Sequence, residues 1–519
     1  MSHTRFLRTK PFIMTSGKSQ QRYWRNPVWR MNGGYRPNPI WSGNDMQSMI
    51  FKVQELLQAT GGKQLCGSPE QGFAAVFTDT RKKVDGGLFV ALPGERFDGH
   101  GFVMQALAQG ASGAVISKPL PREEIQQADS LGKCILLVPN TRDALGLIAR
   151  SHRLRLGSHV TAVTGSAGKT STKDMLSLVF AARYPLIWTE GNQNNEIGVP
   201  LTLLRLSPEQ NTAVVEMGMR GRGEIRWLSS IALPDLAVIT NIGMAHIERL
   251  GSLEQILSAK LEIREGMKPG SLIFINGDDP LLAGSVDRLR DEGFVPVECG
   301  TVPGAQVRGT DIRMDGEGCD FRVECVHPGL PCVSFIIRVP VPGIHNVRNA
   351  LLAAGAGLAR GVPPDRIAAA IAAFQPSGMR MQLLQNAKGV SIINDAYNAN
   401  PQSVQAALES LAVMGKGRRT VAVLGTMLEL GKWSGPAHRE AGIAAAKLGI
   451  QQLVAVGPDG EQTVGGAIQA GMPSQAGVHF KEAEEAARFL VSWVARGDLV
   501  LVKGSRGMHM EDIVEELVR

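Results

Sequence analysis

The stretch Val163-Thr-Gly-Ser-Ala-Gly-Lys-Thr-Ser171 follows the apolar run Val160-Thr-Ala-Val-Thr164 and opens a segment with helical patterning from about Lys169. A strand that feeds a glycine loop and then a helix is the setting of a phosphate-binding loop. Backbone N–H groups wrap the phosphates, a lysine pairs with them, a hydroxyl ligates Mg²⁺, and the helix N-terminus adds its dipole. Gly168, Lys169 and Thr170 fit the pattern G-x-x-x-x-G-K-[ST], yet its leading glycine would fall at Val163, and the nearest one is Gly165. The loop is short, so its neighbours must identify it.

Working outward, strands recur at Ala213-Val-Val-Glu-Met217, Leu236-Ala-Val-Ile-Thr240 and Ser271-Leu-Ile-Phe-Ile275, with helical stretches between them. Such alternation predicts a mostly parallel sheet with helices on both faces. The chain breaks at Gln375-Pro-Ser-Gly378, and a second alternating unit follows with strands at Val390–Ile393, Thr420–Leu424, Leu453–Val456 and Leu499–Val502. Before the loop, a smaller module holds strands at Gly87–Leu92 and Ala114–Ile116, preceded by a helix-like run from Met49 that ends at Gly61-Gly62. The predicted fold is α/β with three domains: a small α/β unit over 47–154, a central phosphate-loop unit over 155–375 and a Rossmann-like unit over 376–519.

At 519 residues the chain exceeds what one core supports. Its longest uncharged apolar run, Ala350–Ala359, is too short to span a bilayer, so no membrane segment is expected. Six cysteines are thinly spread, with no C-x-x-C pair and no histidines at zinc spacing, which points to reduced thiols and a cytoplasmic setting. Eight of the 55 basic residues and one of the 48 acidic ones precede Met46, so the rest of the chain is balanced in charge. Residues 1–46 read as a basic, solvated, disordered extension, as the product of a start codon placed too early, or, less often, as an acid-poor transit peptide. Tyr23, Trp24, Trp29, Tyr35 and Trp41 interleave its bases, but with a neutral body no nucleic-acid partner is expected.

Glu216 ends one strand and His246 lies just past another, so both fall at strand C-termini, where ligand crevices open in such sheets. A carboxylate there completes a Mg²⁺ site begun by Thr170, and an imidazole suits a second metal; taken singly, His246 equally reads as a hydrogen-bonded loop histidine. On the helix from Ser252, Leu253, Ile256 and Leu257 form an apolar stripe whose next position is Lys260. An inward lysine either packs its stem and pairs with an acid such as Glu262 or Glu265, or has a depressed pKa and takes up CO₂ as a carbamate able to ligate metal.

Six ordered motifs then carry a resemblance. Gly165–Ser171, Glu190-Gly-Asn-Gln-Asn-Asn-Glu-Ile-Gly-Val-Pro-Leu-Thr-Leu-Leu204, Glu216-Met-Gly-Met-Arg220, Thr240-Asn-Ile-Gly-Met-Ala-His246, His345-Asn-Val-Arg-Asn349 and Asp395-Ala-Tyr-Asn-Ala-Asn-Pro401 resemble those of the Mur ligases, from about Met49 to the C-terminus. That family's shortened loop is G-x-x-G-K-T, which accounts for Val163. The nearest branch joins D-alanyl-D-alanine to UDP-N-acetylmuramoyl-tripeptide (UDP-MurNAc-tripeptide) in peptidoglycan precursor synthesis, as a monomer acting on small molecules.

The resemblance implies roles at matching positions. Gly165, Ser166, Ala167, Gly168, Lys169, Thr170 and Ser171 would hold ATP; Thr170 and Glu216 one Mg²⁺; His246 and carbamylated Lys260 a second. Asn346 would face adenine, Asp395 the ribose, and Arg380 would reach across the cleft as a catalytic group beside Lys169, Glu216, His246 and Lys260. Thr78, Asp79, Thr80 and Arg81, with the run Phe89–His100, resemble a uridine-nucleotide site, and Asn194 and Asn195 substrate contacts. The alternatives are a sibling ligase adding the third peptide residue, whose D-N-P-R box is missing here, and a P-loop kinase or ATPase, which leaves Lys260 and the third domain without a task.

Overall fold

The computed structural model describes residues 51–94 and 97–519. The extension over 1–46 and the positions Glu95 and Arg96 lie outside the described residues. The rest is mixed α/β in three domains, each with its own sheet.

In the central domain the strand His159–Thr164 lies between Thr212–Glu216 and Leu236–Ile239, parallel to both. Every residue of these two neighbours is buried, because helices cover both faces and water reaches neither. The register sets Glu216 opposite Val163 and Ile239 opposite Thr164, so three strand ends finish level. The glycine loop, Glu216 and the segment Thr240–His246 therefore leave the sheet at one edge.

The sheet has nine strands. Seven run parallel, from Leu186–Trp188 to Val307–Met314, and the antiparallel strands Cys319–Cys325 and Val333–Val339 extend it. This antiparallel addition departs from the helix-and-strand alternation expected. Cys319–Cys325 buries every second residue, the pattern of a strand with one face on the core and one nearer solvent. The apolar run that was too short for a bilayer lies in the helix Ile344–Ala359, twelve of whose 16 residues are buried, packed on Lys169–Ala181. No helix among the described residues is long and apolar enough to cross a membrane.

The C-terminal sheet runs in the order Gln382–Gln385, Ser391–Asp395, Leu499–Lys503, Thr420–Gly425, Gln452–Val456 and Gly477–Phe480, parallel except for its first strand. The four strands read from the sequence are its centre. The N-terminal sheet has five strands, all parallel but Lys63–Cys66. From this module the helix Thr141–Leu156 leads into the central domain, capped by Asn140 and closed by Gly157 in the left-handed region. It packs on Val53–Thr60 on one side and on Gly198–Leu203 and Glu224–Ala232 on the other.

Candidate active site

The glycine loop folds tightly because two of its residues lack a Cβ. Gly165 has φ +151°, and a Cβ there would lie 1.9 Å from Thr240 Oγ1; Gly168 has φ +75°, with Asn349 Oδ1 2.9 Å from the same position. Asn241 closes the loop from outside: its Oδ1 accepts from Ala167 N at 2.8 Å and its Nδ2 donates to Ala167 O at 3.0 Å. Ser166 Oγ donates to Gly243 O and accepts from Gly243 N. The Lys169 side chain folds back over the loop and donates to Gly165 O at 2.8 Å. Burial depresses its pKa, nearby Glu216 works against that, and Arg380 adds to it.

Thr170 Oγ1 donates to Glu216 Oε2 at 2.8 Å, and Asn194 Nδ2 donates to Glu216 Oε1 at 2.8 Å. Asn194 therefore touches the carboxylate itself. Asn195 caps the helix Gly198–Leu203 by accepting from Gly198 N at 2.9 Å. Lys260 is 2% exposed, on the inner stripe of the helix Leu253–Leu261 as its spacing predicted. Burial, then the Lys169 charge, push its pKa far down. Glu262 does not pair with it: that carboxylate accepts from Gly223 N at 2.9 Å and Arg226 N at 3.2 Å, at the start of the helix Glu224–Ala232. His246, with φ +63°, bonds through Nδ1 to Glu429 of the C-terminal domain; burial lowers its pKa against the pull of that carboxylate.

From the C-terminal side, Arg380 stacks its guanidinium 4.0 Å above the Tyr397 ring, and Met379 and Met381 beside it both take positive φ. Asp395 accepts from Lys503 Nζ at 2.6 Å and from Met381 N at 3.1 Å. Asn400 Nδ2 reaches Ser166 O of the glycine loop at 3.4 Å. Asn346 is anchored to Pro342 O at 3.0 Å, while His345 Nδ1 is buried without a partner among the described residues, and burial takes its pKa to about 4.

Apart from Glu262, Met379 and Glu429, these side chains line one cavity of about 1260 Å³. Thr78–Arg81 do not line it; there Arg81 grips Asp79 through two bonds, at 2.9 and 2.7 Å, and this bidentate pairing draws the Asp79 carboxyl to about 2. In the neighbouring run, Asp98 accepts from His100 Nδ1 at 2.6 Å and from Lys118 Nζ at 2.5 Å.

Sequence reasoning missed several lining residues. Asn241 and Asn400 lie inside quoted motifs, and Lys503 ends a recognised strand, so position alone signals them. Asp278, which accepts from Arg348 Nε at 2.7 Å and from Thr301 Oγ1 at 2.7 Å, had no such signal. The donors fit Mg²⁺. A hydroxyl and a carboxylate already converge, and no group of three or more His, Cys, Asp or Glu forms a ready metal cage among the described residues. Mg²⁺ takes few protein ligands and draws the rest from water and phosphate.

Known families match the chain in three places: the Mur ligase family catalytic domain over 73–153, the Mur ligase middle domain over 163–357 and the Mur ligase glutamate ligase domain over 379–506. The UDP-N-acetylmuramoyl-tripeptide–D-alanyl-D-alanine ligase of Bacillus subtilis is 38% identical over 85% of this chain and 93% of its own. The chain belongs to the Mur ligase family. Its Mur ligase fold is similar to a crystal structure of MurF from Acinetobacter baumannii, with TM-score 0.81 and 32% identity over 91% of this chain and 99% of that one. It is also similar to the MurF ligase of Thermotoga maritima in complex with ADP, with TM-score 0.73 and 27% identity over 85% and 96% of the two chains.

Proposed function

We propose that this chain is the ATP-dependent ligase that joins D-alanyl-D-alanine to UDP-MurNAc-tripeptide, a step of peptidoglycan precursor synthesis that releases ADP and phosphate. One observation carries the reading: the phosphate-loop lysine, the Thr170–Glu216 pair, His246 and the buried Lys260 share a single cavity with Arg380 and Asp395 of the next domain. The Bacillus subtilis relative, with its name, supports the choice of substrates.

A carboxylate is a poor electrophile, so it must be activated. Its oxygen attacks the γ-phosphorus of ATP, the bond to ADP breaks, and an acyl phosphate forms. The D-alanyl-D-alanine amine then attacks the carbonyl carbon, phosphate leaves with one former carboxylate oxygen, and the amine gives up a proton. Lys169 and the loop amides hold the phosphates and spread the charge that develops on them. Arg380 approaches the same phosphates from across the cavity. Asn346 faces the base, beside His345, and Asp395 the ribose.

Thr170 and Glu216 would hold one Mg²⁺, and His246 with Lys260 a second. Divalent cations there screen the phosphate oxygens and so let an anionic carboxylate approach. Lys260 is suited to carbamylation, because burial favours its neutral amine, the form that adds CO₂. Thr78–Arg81 and the run Phe89–His100 form the uridine-nucleotide end of the substrate site, in the N-terminal domain. The enzyme acts as a cytoplasmic monomer, a setting that suits its six free cysteines.

The test is phosphate release by the full chain with ATP and Mg²⁺, omitting each substrate in turn. The reading requires release only when the nucleotide tripeptide and D-alanyl-D-alanine are both present. Equal release without either acceptor makes the protein a simple ATPase, and release with the nucleotide dipeptide and a free amino acid makes it a sibling ligase.

A further inference from the structure

Left-handed backbone is unfavourable for residues with a Cβ, and where it persists the surroundings must enforce it. His246 and Glu429 both adopt it, with φ +63° and +62°, and they are hydrogen-bonded to each other across the boundary between the central and C-terminal domains. Glu248 N also donates to Glu429 O at 3.2 Å, and Met244 N to Gln402 Oε1 at 3.0 Å. The loop that presents Glu429 is held from within its own domain. Met427 N donates to His438 Nε2 at 2.8 Å, Leu428 N donates to Ser505 Oγ at 2.9 Å, and Leu430 is buried. Gly431 lies so close to the central domain that a Cβ there would sit 3.0 Å from Glu248 Cγ. The Glu429 carboxylate is thus delivered to His246 by a braced loop.

A carboxylate only accepts, so His246 Nδ1 carries a proton, and in the neutral imidazole Nε2 is then left with its lone pair. A carboxylate that fixes a metal-binding imidazole in this way sets its tautomer and ring orientation and raises its basicity. The two partners are 183 positions apart in the chain and belong to different domains. We propose that Glu429 is a positioning residue through which docking of the C-terminal domain completes the second cation site: the cation is held tightly only while Glu429 holds His246. This rests on the ligase reading in one respect, that His246 serves a divalent cation.

The probe is Mn²⁺, titrated into the full chain holding a non-hydrolysable ATP analogue, with free Mn²⁺ counted by electron paramagnetic resonance. The wild-type chain should bind two ions. Glu429→Ala should weaken the weaker one by about 10–100-fold while the tighter ion, nucleotide affinity and melting temperature stay unchanged. Glu429→Gln, which keeps an acceptor oxygen, should fall between the two. In phosphate release, Glu429→Ala should raise the Mg²⁺ concentration needed for half-maximal rate more than it lowers kcat. Unchanged binding of both ions in Glu429→Ala overturns the proposal; so does a wild-type chain that binds one ion, or a variant that loses the tight ion and its melting temperature together. Failure of the ligase reading shows separately, as wild-type phosphate release that ignores the two acceptors.

Discussion

Replacing Lys260 by Met separates a structural lysine from a chemical one. The side chain is 2% exposed, and its amine has no hydrogen bond or ion pair among the described residues. Met matches the stem in length and volume, and swaps of that kind cost less than about 1.5 kcal/mol. Lys260 lines the site cavity, so its amine is not a sealed unpartnered group whose loss would add stability. For a domain of this size, 1 kcal/mol moves the melting temperature by about 2–4 °C, so Lys260→Met should melt within about 6 °C of wild type. Activity should behave differently: losing one group that stabilises charge in the transition state costs about 10²–10³ in kcat. Differential scanning fluorimetry and phosphate release on the same samples read both quantities. Removing CO₂ should lower wild-type activity reversibly and leave Lys260→Glu, which carries its own carboxylate, indifferent. Near-wild-type turnover by Lys260→Met would refute the carbamate, and a fall of more than about 10 °C would refute the claim that the amine has no structural partner.

Gly165→Ala should loosen nucleotide binding by at least about tenfold and cost roughly 1–3 kcal/mol, because its Cβ would fall 1.9 Å from Thr240 Oγ1, itself bonded to Ala167 O; wild-type affinity for a fluorescent ADP would contradict the loop geometry. His152, buried beside Phe51, donates from Nε2 to Leu206 O, and burial holds its pKa near 4. Between about pH 6.5 and 4 the unfolded chain takes up a proton that the folded one refuses, so this contribution is intact above 6.5 and is lost as pH falls, at up to about 1.4 kcal/mol per pH unit. His152→Gln keeps a donor but cannot titrate, so its stability, from urea midpoints across that range, should fall less steeply than wild type; identical slopes would contradict the assignment.

What the sequence made legible was local. Strands such as Leu236–Ile239 are short, apolar and branched, and the loop glycines, Glu216 and His246 stand at or a few residues past the ends of such strands, so the sheet edge and its occupants could be read together. Lys260 was found by helical register for the same reason. Pairings across long separations were not legible. Nothing near Glu262 shows that it accepts from Gly223, and nothing near Glu429 shows that it meets His246, because each bond is set by how distant elements pack. The antiparallel strand Cys319–Cys325 did announce itself by alternation, but among strands that read as continuous apolar runs its different pattern was passed over. Arg348–Asp278, joined across 70 positions, had no local mark at all.

The central claim is that a carboxylate is activated by ATP before the dipeptide attacks it, and oxygen tracing tests this most directly. UDP-MurNAc-tripeptide labelled with ¹⁸O at both oxygens of its reacting carboxyl is turned over with ATP and D-alanyl-D-alanine, and phosphate and product are weighed by mass spectrometry. The account predicts one ¹⁸O in each phosphate released, the other in the new amide carbonyl, and one phosphate per amide bond. Unlabelled phosphate alongside amide formation, or phosphate formed without amide, would contradict it.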